Sequence, residues 1–132
     1  DLFVTTGSVK TESMVPFNEG YGRRNTIETT TVEAALGSLS ACDFIKIDVD
    51  GTEGRIMANC AEIFRKHHPY VLFEYSDEAW AKAEWPFERT ARLFQELDYR
   101  LYKVELDGRL AKLEDVPSFT NIFCVSSVRE II

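Results

Sequence analysis

The chain has 132 residues, of which 45% are hydrophobic and 28% charged, and its formal net charge is −7. This length fits one domain, and the apolar content excludes a wholly disordered chain. The excess of acidic residues disfavours binding to nucleic acid or to an anionic membrane surface. The sequence contains no run of about 18 apolar residues, so no membrane span is predicted.

Residues 1–30 predict little regular structure beyond two short strand candidates, at 2–5 and 26–31. A capping-box spacing then predicts a short helix over 32–36. The first residue is Asp rather than Met, which fits a processed product or a fragment.

From residue 43 the pattern sharpens into alternating strands and helices. The predicted order is strand, helix, strand, two helical segments, strand and strand, over residues 44–49, 55–67, 70–75, 76–83, 87–97, 100–106 and 121–127. Asp107–Gly108 predicts a hairpin. Strand–helix–strand units imply a parallel sheet, and the last strand must return antiparallel because its connection is too short for a crossover helix. We therefore predict a single α/β domain over residues 1–132. Its sheet would be mainly parallel, with a terminal antiparallel strand.

The cysteines predict neither a disulfide framework nor a zinc site. Their number is odd, and Cys42, Cys60 and Cys124 lack CxxC spacing. This pattern favours a reducing, cytoplasmic location.

Acidic residues gather where the first two predicted strands of the regular region end. They are Asp48, Asp50, Glu53 and Glu74. Ligands of parallel α/β sheets bind beyond the carboxyl ends of the strands, so these side chains are candidates for a base or a hydrogen-bond acceptor. A functional role is favoured for Asp48, because an acid inside an apolar strand pattern is costly without a partner. For Glu53 we favour a simple role at the start of the helix.

Residues 48–52 (DVDGT) are identical to the signature of haloacid-dehalogenase-like phosphatases. That resemblance implies Asp48 as the nucleophile and Asp50 as the general acid, with magnesium. Candidates for the remaining motifs of that family are Ser76, Lys103 and Glu114–Asp115.

A longer segment, residues 43–53 (DFIKIDVDGTE), resembles the strand and turn of FkbM-type methyltransferases. That family typically continues with a helix, then Pro and an apolar strand ending in Glu. The matching residues are Asp43, Lys46, Asp48, Gly51, Glu53, Pro69 and Glu74. The resemblance spans about residues 26–127. Asp50 stands where Glu is usual, Gly54 stands where an apolar residue is common, and the Gly-rich cofactor loop of class I methyltransferases is absent. The resemblance implies the carboxyl-terminal part of a Rossmann-like class I sheet.

The resemblance implies transfer of a methyl group from S-adenosylmethionine to a hydroxyl of a small molecule or a sugar, and no metal ligands are assigned. Asp48 and Asp50 would be the catalytic residues, and Asp48 and Gly51 would contact the cofactor. The substrate-binding residues would be Lys46, Glu74 and Tyr75. Pairing of Lys46 with Glu74 on the next strand is an equally good structural interpretation.

A further alternative is that the chain has no activity alone and is an inactive fragment or an interaction module. Half of a doubly wound sheet exposes an edge that favours self-association. Trp80 and Trp85 fit either a lid over the acceptor or packing in the core.

Overall fold

A computed structural model describes residues 30–131 of the chain. The predicted strand at 2–5 and most of the one at 26–31 lie outside the described residues. In chain order the elements are α1 (Val32–Leu36), β1 (Phe44–Ile47), α2 (Glu53–Asn59), α3 (Ala61–His67), β2 (Tyr70–Ser76), α4 (Asp77–Lys82), α5 (Phe87–Glu96), β3 (Tyr99–Val104), β4 (Leu110–Lys112) and β5 (Phe119–Ser126).

The strands form one mixed sheet in the order β1-β2-β5-β3-β4. Only the β1–β2 pairing is parallel within the described sheet, whereas β5 pairs antiparallel with both β2 and β3, and β4 pairs antiparallel with β3. The prediction of a mainly parallel sheet is therefore wrong. The reason is the position of β5, which runs antiparallel as predicted but lies between β2 and β3. β2 and β3, which are joined by α4 and α5, run in the same direction as β1 but do not pair with each other.

The helices pack on the sheet face that carries alternate side chains of β2. Val71 and Phe73 of β2 and Ile122 of β5 are fully buried on this face. The Phe73 ring stacks on Phe94 of α5 with centroids 6.1 Å apart, and Phe94 stacks in turn on Phe64 of α3 at 5.5 Å. Such offset aromatic pairs stabilise a core beyond the area that they bury. The core thus fixes α3 and α5 against the centre of the sheet.

The helix predicted over 55–67 is interrupted at Cys60, which ends α2 and precedes α3. The backbone of Cys60 has φ −91° and ψ 0°, and its N–H points to the carbonyls of both Ile56 and Met57. This bend leaves Met57, Cys60 and Phe64 buried together, so the apolar stripe still faces one core. The pattern thus predicted the buried face correctly but not the break.

Local signals predict the other element ends well. Ser76 caps α4, because its Oγ accepts a hydrogen bond from the Ala79 amide. The hairpin at Asp107–Gly108 is confirmed, with Gly108 at φ 82° and the Glu105 N–H bonded to the Arg109 carbonyl at 2.8 Å. Within residues 30–131, none of the helices has both the length and the apolarity needed to cross a membrane.

Candidate functional site

The turn between β1 and α2 carries the sequence motif and has an unusual backbone. Asp50 and Gly51 both adopt left-handed conformations, with φ of 55° and 108°. Glycine takes such values without strain, whereas Asp is one of the few other residues that tolerate them. The chain therefore reverses sharply after β1 and enters α2 at Glu53.

Glu53 holds this turn together from inside. Its side chain is only 1% exposed. One carboxylate oxygen accepts the Val49 N–H at 2.9 Å, and the other accepts the Gly51 N–H at 2.9 Å. A buried carboxylate requires such partners, since burial without them is costly. Glu53 thus fixes the turn through its side chain. The sequence interpretation gave it only a simple role at the start of the helix and missed this one.

Two glycines of this segment are required by close packing. A Cβ on Gly51 would stand 2.5 Å from the carbonyl oxygen of Ala79 in α4. A Cβ on Gly54 would stand 2.3 Å from the indole of Trp85. Gly54 therefore makes room for Trp85, whose Nε1 donates to Thr90 Oγ1 at 2.9 Å. The turn is consequently locked against both α4 and the segment that leads into α5.

Asp48 lies just beyond β1, and alternation along the strands places it on the same face as Lys46 and Glu74. Its Oδ2 pairs with Lys46 Nζ at 2.8 Å, and the Asp48 side chain remains 48% exposed. The prediction that Lys46 pairs with Glu74 is therefore wrong, because the Asp48 carboxylate is the nearer acceptor. The hydrogen bond and charge of Asp48 raise the pKa of Lys46.

Glu74 is the half-buried member of this acidic group. It pairs in register with Asn121 of β5. Its pKa is raised, first by burial and then by the negative charges of Asp48, Glu53 and Asp50. These carboxylates therefore share one region at the carboxyl ends of β1 and β2. A carboxyl group whose proton is held more tightly than usual is suited to accept a proton from a substrate.

Tyr75, predicted beside Glu74, belongs to the opposite face of the sheet, where its ring is buried against Trp80 and Phe87. Its hydroxyl donates to Asp77 Oδ1 at 2.5 Å. Burial, with the nearby charge of Asp77, raises the pKa of Tyr75 to about 12. The structure thus brings Lys46, Asp48 and Glu74 together and separates Tyr75 from them. Trp80 and Trp85 are both buried, which confirms the packing interpretation.

The described residues do not form a cofactor cradle by themselves. The Gly51 amide is already bonded to Glu53, and its Cα faces α4. Asp50 is exposed, and Asp48 does not line either of the two best-defined surface depressions of residues 30–131. Among residues 30–131, no group of three or more Asp, Glu, His or Cys side chains is arranged to hold a metal ion.

A family model described as the methyltransferase FkbM domain matches residues 5–101. The chain belongs to this family. No curated protein and no solved structure matches the chain.

The FkbM match includes the turn and both parallel strands but ends within β3, at Leu101. The rest of the sheet lies beyond it, including β5, which separates β2 from β3. In this FkbM-family chain the matched region is therefore completed by the last residues of the sequence. For the phosphatase alternative, Ser76 caps α4, and Lys103 forms an ion pair with Glu105 on the far side of β5 from Asp48.

Proposed function

We propose that the chain is the carboxyl-terminal part of an S-adenosylmethionine-dependent O-methyltransferase that acts on a hydroxyl group of a small molecule or a sugar. The observation that carries this proposal is the family match over residues 5–101. The match covers the turn with its buried Glu53 and the acidic group at the ends of β1 and β2. The expected surroundings are cytoplasmic, and nucleic acid is not an expected partner.

The acidic residues at the carboxyl ends of β1 and β2 would accept the proton of the substrate hydroxyl. Asp48 and Asp50 are exposed at the edge of the sheet, where an acceptor can approach them. Glu74 stands beside them with a raised pKa, and Lys46 neutralises part of their charge through Asp48. A carboxylate that receives the proton increases the nucleophilicity of the substrate oxygen. Glu53 keeps the backbone of Asp50 and Gly51 in place, so it acts on this chemistry through the turn.

S-adenosylmethionine would supply the methyl group. Because the Gly51 amide is occupied and the sequence has no Gly-rich turn between a predicted strand and a predicted helix, we expect most cofactor contacts to come from outside residues 30–131. The two predicted cofactor contacts, Asp48 and Gly51, would then act through their positions. Asp48 lies at the edge of the sheet, and Gly51 lets the turn pack closely on α4.

Calorimetry with S-adenosylmethionine tests the proposal. We expect binding by a chain extended upstream to include a Gly-rich loop, and none by residues 1–132 alone. In the extended protein, Asp48→Asn should lower methyl transfer to hydroxyl acceptors at least tenfold. Asp107→Asn in the hairpin makes the same charge change and should leave transfer unaffected. Failure of the extended chain to bind the cofactor would refute the proposal. Magnesium-dependent hydrolysis of p-nitrophenyl phosphate that is lost in Asp48→Asn would favour the phosphatase instead.

A second candidate function is self-association, with the chain acting as an interaction module. β1 lies at one edge of the described sheet, and its Phe44 is 51% exposed. An edge strand offers unpaired backbone groups to another chain. Analytical ultracentrifugation should show a dimer that Phe44→Lys disrupts, whereas Leu106→Lys in the exposed hairpin should not. A monomer at high concentration would exclude this role.

A further inference from the structure

The dipeptide Asp-Gly occurs twice in the sequence, as Asp50–Gly51 in the motif turn and as Asp107–Gly108 in the hairpin between β3 and β4. Such pairs are prone to a spontaneous rearrangement, because glycine has no side chain to shield its backbone nitrogen. Both aspartates are exposed, and both glycines have positive φ. The dipeptide itself and the exposure of its aspartate therefore do not distinguish the two pairs, and a difference in reactivity must come from the surroundings of the glycine nitrogen.

The rearrangement is intramolecular and needs only water. The glycine nitrogen attacks Cγ of the protonated aspartate side chain, the hydroxyl group leaves as water with the proton of the N–H group, and a five-membered succinimide ring forms. Water then opens the ring. Attack at the former backbone carbonyl carbon breaks its bond to nitrogen, so that the chain continues through Cγ as isoaspartate, and no oxidant or reductant is involved. The glycine nitrogen must therefore be free to move towards the side chain.

The nitrogen of Gly51 is not free to react. Its N–H donates to Glu53 Oε2 at 2.9 Å, and Glu53 is only 1% exposed. Gly51 is itself buried, and a Cβ on it would stand 2.5 Å from the Ala79 carbonyl oxygen of α4. Ring closure would take the nitrogen away from a buried carboxylate and break a charge-assisted hydrogen bond, which is costly. The fold therefore protects Asp50, although the Asp50 side chain is exposed.

The nitrogen of Gly108 has no comparable protection. Apart from its chain neighbours, no described residue lies within 4 Å of a Cβ built on Gly108, and residues 106–109 are all exposed. The Gly108 N–H bonds to the Glu105 carbonyl at 2.9 Å, within the turn itself. Arg109 pairs with the Asp107 carboxylate at 2.6 Å, but the two side chains are 83% and 51% exposed. Surface pairs of this kind restrain their side chains weakly.

The hairpin also opens more easily than the motif turn. β4 has three residues and lies at the edge of the described sheet, where it pairs with β3. Short edge elements with exposed hydrogen bonds open locally at a small cost in free energy. Opening of β4 releases the Gly108 nitrogen and leaves the core in place, whereas release of Gly51 disrupts the packing of the turn on α4.

We propose that Asp107 is a site of spontaneous isoaspartate formation, and that the buried Glu53 carboxylate protects Asp50 of the motif turn from the same reaction. Isoaspartate at position 107 adds one carbon to the backbone of the hairpin and leaves the motif intact. Glu53 thus has a chemical role besides its structural one, because it preserves a turn whose sequence is prone to rearrangement. This inference goes beyond the proposed function and does not depend on methyl transfer.

Ageing of the purified chain in H₂¹⁸O at neutral pH tests the proposal, because hydrolysis of each succinimide introduces one ¹⁸O atom. After transfer to ordinary water, trypsin should release the two pairs in separate peptides, residues 47–55 and 104–109. Mass spectrometry measures the label, and chromatography separates the isoaspartyl from the aspartyl form of each peptide. In the folded chain we expect at least tenfold more label and isoaspartate in residues 104–109. Asp107→Glu should abolish that label, since glutamate closes such a ring far less readily.

The unfolded chain shows whether the fold causes the difference. In guanidinium chloride both glycine nitrogens are accessible, so the labelling of the two peptides should agree within threefold. Equal labelling of the two peptides in the folded chain would overturn the proposal, and so would a tenfold preference that persists in the denaturant. Neither comparison needs a variant, so both remain decisive if a substitution at Glu53 prevents folding.

The role of Glu53 is tested by Glu53→Gln, with circular dichroism to confirm that the variant is folded. Glutamine keeps the size of the side chain but removes the charge that holds the Gly51 N–H. We expect labelling of residues 47–55 to rise at least threefold and labelling of residues 104–109 to stay the same. The matched control is Glu62→Gln, at an exposed residue paired with Arg65, which should change neither peptide. Unchanged labelling of residues 47–55 in folded Glu53→Gln would overturn the protective role of Glu53.

Discussion

The Gly51 amide and the Glu53 carboxylate are joined by a 2.9 Å hydrogen bond that closes the turn after β1 from the inside. The other oxygen of the same carboxylate bonds to Val49, so one buried side chain fixes both sides of the turn. The exposed acids of the motif, Asp48 and Asp50, are held by this arrangement. The positions of Asp48 and Asp50, which a substrate can reach, therefore depend on the buried Glu53, which a substrate cannot reach.

Glu53→Gln should destabilise the protein by about 1–3 kcal/mol, because one of two buried N–H donors would then face an NH₂ group instead of an acceptor. Urea unfolding followed by circular dichroism measures the change. Glu62→Gln is the matched control, since Glu62 is exposed and pairs with Arg65 at the surface. We expect that control to change the free energy of unfolding by less than about 0.5 kcal/mol. Equal stability of the two variants would contradict the role given to Glu53.

Gly51→Ala should be more damaging than Gly108→Ala, although both glycines have positive φ. A Cβ at Gly51 would stand 2.5 Å from the Ala79 carbonyl oxygen, whereas nothing lies within 4 Å of one at Gly108. We expect a loss of about 1–2 kcal/mol at Gly108 from the backbone alone, and roughly 2–5 kcal/mol at Gly51, where overpacking is added. Thermal unfolding of both variants checks the difference, and similar melting temperatures would show that α4 does not press on the turn.

Ile122→Ala tests whether β5 is part of the central core although it lies beyond the family match. The Ile122 side chain is 0% exposed, so its truncation should cost about 2–5 kcal/mol. Ile131→Ala makes the same chemical change at a position that is 47% exposed and should cost less than about 0.5 kcal/mol. Denaturant unfolding measures both. A small effect at Ile122 would argue against the insertion of β5 between β2 and β3.

The stability of the fold should decline at high pH in part through Tyr75. Its pKa in the folded protein is raised to about 12, mainly by burial, whereas an unfolded tyrosine titrates near 10. Between these values the unfolded chain releases a proton that the folded chain keeps, so the free energy of unfolding falls as pH rises from about 10 to 12. Tyr99, whose pKa is also raised by burial, contributes in the same direction.

Tyr75→Phe should therefore flatten, but not abolish, the loss of stability over this pH window. Unfolding titrations at several pH values compare the variant with the parent chain. Tyr102→Phe is a suitable control, since it removes the same hydroxyl from a half-exposed residue of β3. An unchanged slope in Tyr75→Phe would mean that the phenol is not protected in the folded state.

Local signals predict the elements of this fold better than their arrangement. Apolar runs and capping residues indicate β2, α4 and the hairpin, because each depends on neighbours in sequence. The place of β5 depends on contacts such as Val71 with Cys124, which no local pattern encodes. The break at Cys60 is similar, since the apolar stripe continues through it and only the tertiary packing shows the bend.

The candidate site shows the same division. The motif letters locate the acidic turn, and the period of two along β2 indicates that Glu74 and Tyr75 face opposite sides. The burial of Glu53 could have been suspected from its spacing to Val49 and Gly51. The contact of Gly51 with Ala79 could not, because α4 lies more than one element further along the chain.

The central position of β5 also has a consequence for biosynthesis. β2 and β3 are made before β5, yet neither can acquire its main neighbour until β5 has been synthesised. Pairings between such distant segments form slowly, and exposed strand edges are prone to aggregation in the meantime. The nascent chain therefore needs protection until β5 has been synthesised, and a premature stop shortly before Phe119 should yield an insoluble product rather than a smaller domain.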